Sequence, residues 1–432
     1  MFLGFTTQKM QLANVRLHIR IGGSGPPLLL LHGYPQTHVM WHKIAPALAQ
    51  HFTLICPDMR GYGDSDAPPA DAQHLTYAKR TVAQDLVELM ANLGFARFMA
   101  AGHDRGARVL HRLLLDHPAR VRRAAMLDIV PTRHIFKTLN QQIATVYEHW
   151  FFLIQPDGFP ERLIGQDPDY YLTTKLHRWS ADANAFAPEA MAEYLRCFRR
   201  RAVIHATCED YRAAASIDLA HDESDLAKKI DCPLLVLWGQ KGAMEQNYDV
   251  LAVWREQVSQ GEAGLQGRSL PCGHFLAEEA PEATFQALHD FFNEQADNPD
   301  TCWKQQSDKT PQQLGLSPTT LDNIVGVLSK YAEVESAIVY GSRAKGNYRE
   351  GSDIDLTLNG QGLTYQILLR IEDEIDELLL PYLFDISILS YIEDPDVVDH
   401  IRRVGVLLYA KGSTVSSNAA SKAQPLDRYR GS

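Results

Sequence analysis

The sequence predicts an α/β protein in two parts. The first is a parallel sheet with helices on both faces and a helical cap inserted into it; the second is a smaller α/β domain. Three observations carry the prediction. Short apolar runs alternate with helix-length segments from about residue 15 to residue 292, the pattern of strand–helix–strand crossovers. Between about residues 132 and 218 this gives way to helical segments rich in aromatics and arginine, which read as the cap. After a polar stretch at 296–316, a new pattern of strands and helices occupies 317–411. The expected organisation is therefore 1–295 with the cap inside it, a linker at 296–316, a second domain at 317–411 and a disordered tail at 412–432, rich in Ser and Ala.

Composition sets the class. The 432 residues, 45% hydrophobic and 22% charged, supply ample material for globular cores. A formal charge of -11 argues against general nucleic-acid binding. The apolar run Pro27 to Leu31 is far too short to span a membrane. No basic segment, apolar segment and small-residue cleavage site mark a signal peptide at the N-terminus. The six cysteines (Cys56, Cys197, Cys208, Cys232, Cys272, Cys302) lack metal-ligand spacing and are expected to be reduced thiols. A cytoplasmic protein with no membrane partner is the expectation.

The elements follow in order. Val15 to Ile21 alternates and predicts an early strand. Gly22 to Pro27 is a turn cluster, and Leu28 to Leu31 is a buried strand ending in His32-Gly33-Tyr34-Pro35. Such a turn forms the oxyanion-hole loop of many hydrolases, so the Tyr34 N–H, with that of Arg105, is expected to hold an oxyanion. Phe52 to Cys56 is the next strand, leading into a Gly-rich loop in which Asp58 reads as a loop-ordering residue. Thr81 to Leu93 has helical spacing and crosses over to the strand that ends at Ala100.

That strand runs into Gly102-His103-Asp104-Arg105-Gly106, with a helical run at Val109 to Leu115 behind it. Strand, glycine, nucleophile, glycine and helix make the nucleophile elbow of α/β-hydrolases. Here the nucleophile is Asp104, not Ser. A carboxylate is ionised at neutral pH, so its attack on a saturated carbon needs no base. It leaves an ester that water must hydrolyse with the help of a histidine. Arg105 and Arg108, on the first turn of the following helix, are suited to clamp a small carboxylate by bidentate hydrogen bonds. Ala124 to Asp128 reads as the sixth strand and Leu234 to Trp238 as the seventh. The turn Gly239-Gln240-Lys241-Gly242 after the seventh carries no carboxylate, so Asp128 is the better triad acid. Pro271-Cys272-Gly273-His274 delivers the base after the eighth strand, preserving the order nucleophile, acid, base.

These residues, with Glu148-His149-Trp150, resemble the fluoroacetate (haloacetate) dehalogenases of the α/β-hydrolase superfamily from about Phe5 to Phe292. The resemblance also places the acid at Asp128. It implies that His149, Trp150 and Tyr211 donate hydrogen bonds to the departing halide, with Trp179 completing the pocket wall. It implies a small haloacid substrate and no cofactor. Two enzyme readings stand: haloacetate dehalogenase, and epoxide hydrolase, which paired cap tyrosines would favour and the two arginines count against.

In the second domain, Ser317-Pro318 predicts a helix N-cap followed by Pro at the first helical position, the helix running to about Tyr331. Strand Ala337 to Tyr340 then leads into Gly341-Ser342 and a short helix, followed by Ser352-Asp353-Ile354-Asp355 on a second strand and Phe384-Asp385 on a later one. Alternation puts Asp353 and Asp355 on one side. With Asp385 they could hold Mg²⁺ on a nucleoside triphosphate whose phosphates Gly341 and Ser342 approach. Leu316 to Tyr409 resembles the minimal nucleotidyltransferase domains of the DNA polymerase β superfamily. That resemblance implies a third reading, a nucleotide-dependent regulatory or antitoxin module with a helical toxin-type partner. A homodimer is left open.

Overall fold

The computed structural model describes residues 1–182, 184–259, 264–293, 314–349, 351–360, 362–392 and 394–411. The chain divides into two compact units at Asn293/Glu294. The expected tail at 412–432 and most of the expected linker lie outside the described residues. The end of that linker does not: Leu314 and Leu316 are buried in the second unit's core. The second unit therefore starts before residue 317, because these two leucines have an apolar surface to cover.

The first unit is built on eight strands: β1 (Thr6–Gln11), β2 (Arg16–Gly22), β3 (Pro27–Leu31), β4 (Thr53–Pro57), β5 (Phe98–His103), β6 (Val121–Leu127), β7 (Leu234–Gly239) and β8 (Leu265–Leu270). Their order across the sheet is β1-β2-β4-β3-β5-β6-β7-β8. The pairs from β4 through β8 are parallel, and β1 and β2 are added antiparallel at one edge. Strands covered on both faces read as continuous apolar runs. Leu28 to Leu31 and Leu234 to Leu237 are such runs, and they are buried. β1 escaped the sequence reading because it is a mostly exposed edge strand, Thr-Thr-Gln-Lys-Met-Gln, with no apolar alternation.

Helices Lys79–Asn92 and Arg105–Asp116 flank β5, within two to four residues of the expected spans. The cap lies between β6 and β7 and begins with helix Thr132–Lys137. It runs past residue 218, to the helix Ile217–Ser224. Its end is tied back to the core by Arg112 on the elbow helix, which donates to Asp222 (2.7 Å) and Asp225 (2.6 Å). The cap helix Pro168–Trp179 starts where the Asp167 side chain accepts the Tyr170 N–H and Pro168 takes the first turn. Among the described residues no helix is long and apolar enough to cross a membrane, and Cys56, Cys197, Cys208, Cys232 and Cys272 are free thiols.

The second unit has a sheet of four strands, β9 (Ser336–Val339), β10 (Ile354–Asn359), β11 (Phe384–Ile388) and β12 (Val406–Ala410), in the order β11-β10-β9-β12. Helices Pro318–Leu328 and Tyr365–Asp376 supply Ile324, Leu328 and Ile371 to its core. Ser317 caps the first of these by accepting the Thr320 N–H at 3.0 Å, and that helix ends at Leu328, short of Tyr331.

Candidate active site

β5 ends at His103 and the helix opens at Arg105, so Asp104 alone makes the turn, with φ 44°. The turn is tight because its neighbours lack side chains. A Cβ on Gly106 would meet the His32 carbonyl oxygen at 2.4 Å, and one on Gly33 would meet the Asp104 Cβ at 2.7 Å. The Asp104 carboxylate is buried and accepts the Tyr34 N–H at 3.0 Å. Burial pushes its pKa up, but the charges of His274 and Arg108 outweigh this and hold it below the usual value. Asp104 is therefore ionised although buried. Asp58, as expected, orders its loop: it accepts from His18, from His38 and from the Asp64 N–H.

His274 Nδ1 lies 2.6 Å from Asp128 Oδ2, and Asp128 Oδ1 accepts the Gly239 N–H at 2.8 Å. Burial alone would lower the His274 pKa; the hydrogen bond to Asp128 and the Asp104 charge raise it on balance. The base loop is fixed through its backbone. His274 N–H donates to the Trp179 carbonyl (2.9 Å), while Glu279 accepts the N–H groups of Gly273, Phe275 and, from the cap, Ala181.

A cavity of about 260 Å³ has Asp104, Arg108, Asp128, His149, Trp179 and His274 in its wall. Arg108 gives Nη1 to the Val130 carbonyl and Thr132 Oγ1, leaving Nε without a protein partner. Arg105, Trp150 and Tyr211 pack directly behind the wall. The Arg105 guanidinium stacks 4.1 Å over the Tyr211 ring, and that of Arg108 4.7 Å over Trp150. The Arg105 side chain is held by Asp210, whose carboxylate takes Nε (2.7 Å) and whose carbonyl takes Nη2 (2.8 Å); Nη1 has no protein partner. Burial and the nearby Lys175 and His274 charges drive the His149 pKa well below its usual value, so its imidazole is neutral. The Tyr34 ring contacts those of Trp179 and Tyr211.

Several residues at or near this site were not anticipated. Asp210 is buried and joins Arg105, Tyr62 and Lys79. Tyr147 lines the cavity, as do Arg178, Lys241 and Gln246 near its rim. The sequence signal for Asp210 was its place beside Tyr211; its partners are far away along the chain.

Residues 26–281 match the alpha/beta hydrolase fold family. The chain belongs to that family. This α/β hydrolase is 42% identical to a fluoroacetate dehalogenase of Burkholderia sp over 68% of its own length and 96% of the relative's. It is 32% identical to a soluble epoxide hydrolase of Corynebacterium sp. (strain C12), over 66% of its length and 97% of the relative's. Among solved structures, a Nostoc sp PCC 7120 protein provisionally assigned as an α/β hydrolase is 57% identical, with a TM-score of 0.67. That similarity covers 68% of this chain and all of the Nostoc chain. Residues 322–414 of the α/β hydrolase match the polymerase beta nucleotidyltransferase family.

In this second unit, Asp355 on β10 pairs in parallel register with Asp385 on β11, and Asp353 stands just before β10 rather than on it. Burial raises the Asp355 pKa, and the charges of Asp385 and Asp353 add to the rise. Gly341, at φ 68°, passes so close that a Cβ would overlap the Asp355 carboxylate. Three carboxylates whose charges act on one another stand beside Gly341, and carboxylate oxygens are the ligand type a divalent cation of the Mg²⁺ kind takes. Among the described residues, the groups whose ligand atoms all lie within 4.8 Å are His18, His38, Asp58 and Glu161, His205, Glu209. The three aspartates are not drawn that close. Ser342 lies in the short helix Gly341–Lys345.

Proposed function

We propose that the hydrolase unit is a haloacetate dehalogenase that converts fluoroacetate or a related 2-haloacid and water to a 2-hydroxy acid, halide and a proton. The observation that carries this reading is a buried, ionised Asp104 at the elbow with the Arg108 guanidinium in the same cavity wall. Arg108, in the cavity wall, binds the substrate carboxylate, and Arg105 behind it adds a second positive charge and a donor that no protein group uses. A carboxylate oxygen of Asp104 attacks the carbon bearing the halogen. A carbon–oxygen bond forms as the carbon–halogen bond breaks, and the halide leaves with the electron pair. Neutral His149, in the cavity wall, is the donor placed to meet the departing halide, with the expected donors Trp150 and Tyr211 packed directly behind it; a halide leaving inside a protein needs such donors already in place. His274, oriented by Asp128, then takes a proton from water. The hydroxide adds to the Asp104 ester carbonyl, whose oxyanion the Tyr34 N–H stabilises; collapse of the adduct breaks the ester carbon–oxygen bond, the 2-hydroxy acid departs with the proton held by His274, and Asp104 returns to its carboxylate by releasing a proton.

Halide release from fluoroacetate and chloroacetate tests the reading. We expect release from both and none in Asp104→Ala. Absence of release from the unaltered protein overturns it. A second reading, epoxide hydrolysis, is favoured by Tyr147, a cap tyrosine in the cavity wall with Tyr211 behind it. Turnover of a neutral epoxide without halide release would select it. The buried arginines weigh against it, since a neutral substrate has no use for them.

For the second unit the residues support a nucleotidyltransferase-type reading. Asp353, Asp355 and Asp385 would hold Mg²⁺, which supplies charge neutralisation to a nucleoside triphosphate. Mg²⁺-dependent ATP binding that is lost in Asp353→Ala is expected; binding unaffected by the substitution removes the assignment.

A further inference from the structure

The cavity has a second set of cations that the proposed chemistry does not use. Arg178 and Lys241 are exposed side chains in its lining, and neither has an ion-pair partner among the described residues. The carboxylates in the lining are Asp104 and Asp128, both buried and both committed to the reaction. The outer part of the cavity is therefore positive, in a chain whose formal charge is -11. A local charge so opposed to the whole selects anionic ligands and draws them in.

The segments that carry the two cations are both tied to the loop that carries His274. Lys241 sits in the turn after β7, where the acid of many triads would stand; with that duty moved to Asp128, the turn is free for another group. Its backbone is pinned, since the Lys241 N–H donates to the Cys272 carbonyl (2.9 Å) and the Gln240 N–H to the Leu270 carbonyl (2.8 Å). Arg178 stands one residue before the end of the cap helix whose Trp179 carbonyl accepts the His274 N–H. Gln246 adds an amide to the same lining. The cavity, at about 260 Å³, would hold several water volumes of roughly 30 Å³ each, more room than a two-carbon acid fills.

We propose that Arg178 and Lys241 form a subsite for a second carboxylate, and that the preferred substrate class is a 2-halo dicarboxylic acid. This rests on the dehalogenase reading. One carboxylate binds at Arg108 and Arg105, the halogen-bearing carbon faces Asp104, and the distal carboxylate meets the rim. The bonds made and broken are those of the haloacetate reaction, with chloride leaving and water supplying the hydroxyl.

The test is halide release from 2-chlorosuccinate and chloroacetate, measured on the same full-length preparations of wild type, R178A, K241A and the double variant. The expected result is a wild-type kcat/KM for chlorosuccinate above that for chloroacetate. The ratio should fall in the double variant by on the order of tenfold or more, the effect of losing charge-assisted hydrogen bonds. A ratio is read, so partial loss of folded protein cancels. Chloroacetate turnover with no preference for chlorosuccinate, or a ratio unchanged in the double variant, overturns the subsite and leaves the dehalogenase reading standing. No halide from either substrate overturns both.

Discussion

Asp104 occupies a left-handed backbone position that costs a non-glycine residue about 1–3 kcal/mol. Asp128, at φ 55°, does the same at the end of β6. In both cases a carboxylate is lifted off a strand end toward His274. We expect His274→Ala to accumulate an ester on Asp104 after exposure to chloroacetate, visible as added mass on the intact protein; no added mass would remove His274 from the base role. The hydrolysis step needs neutral His274, whose pKa is raised, so its rate should climb with pH through a midpoint above 6.5. In Asp128→Asn the same midpoint should move down, because the burial that lowers it is then less opposed; single-turnover pH profiles read this directly. Asp210→Ala would strand Arg105 in the interior without its ion-pair partner and leave Lys79 only Asp218, 3.4 Å away. Its expected cost is about 3–5 kcal/mol, measurable by urea denaturation. Asp210 itself is held well below the usual carboxylate range, the charges of Arg105 and Lys79 outweighing its burial. Its stabilising contribution is thus in place above the unfolded carboxylate pKa and is lost only as pH falls through the depressed folded value.

At the level of elements, the strand β5, the elbow and the helix Arg105–Asp116 form one unit whose close approach depends on glycine. Gly106→Ala would drive a methyl into the His32 and Leu31 carbonyl oxygens, 2.4 and 2.7 Å away. Overpacking of this kind costs about 1–3 kcal/mol when neighbours can shift; backbone oxygens of a central strand cannot shift easily. We expect loss of stability together with loss of halide release. This element was legible because its glycines and its apolar lead-in are local. The same holds for Asp128 and His274, each announced by the strand it follows. β1 was not legible, since a polar edge strand carries no period. Nor was the Arg105–Asp210 pair, whose members stand on the elbow and on the cap helix Arg201–Ala214 and meet only once the cap is folded. Lys241 and Arg178 were invisible for the same reason: each is an ordinary exposed cation until a cavity brings the two together.

Among the described residues there are two large hydrophobic clusters, one drawn from residues before Asn293 and one from Leu314 onward, with a small third one around Ile338 and Ile401 in the second unit. Calorimetry should show two transitions, with Ile371→Ala moving one and Asp210→Ala the other; a single shared transition would mean the cores melt together. Within the first unit, the cap and the base loop share fastenings. The Trp179 carbonyl holds the His274 N–H, and Glu279 grips Ala181 from one side and Gly273 and Phe275 from the other. Lifting the cap at that corner would pull the base loop with it and take His274 off Asp128.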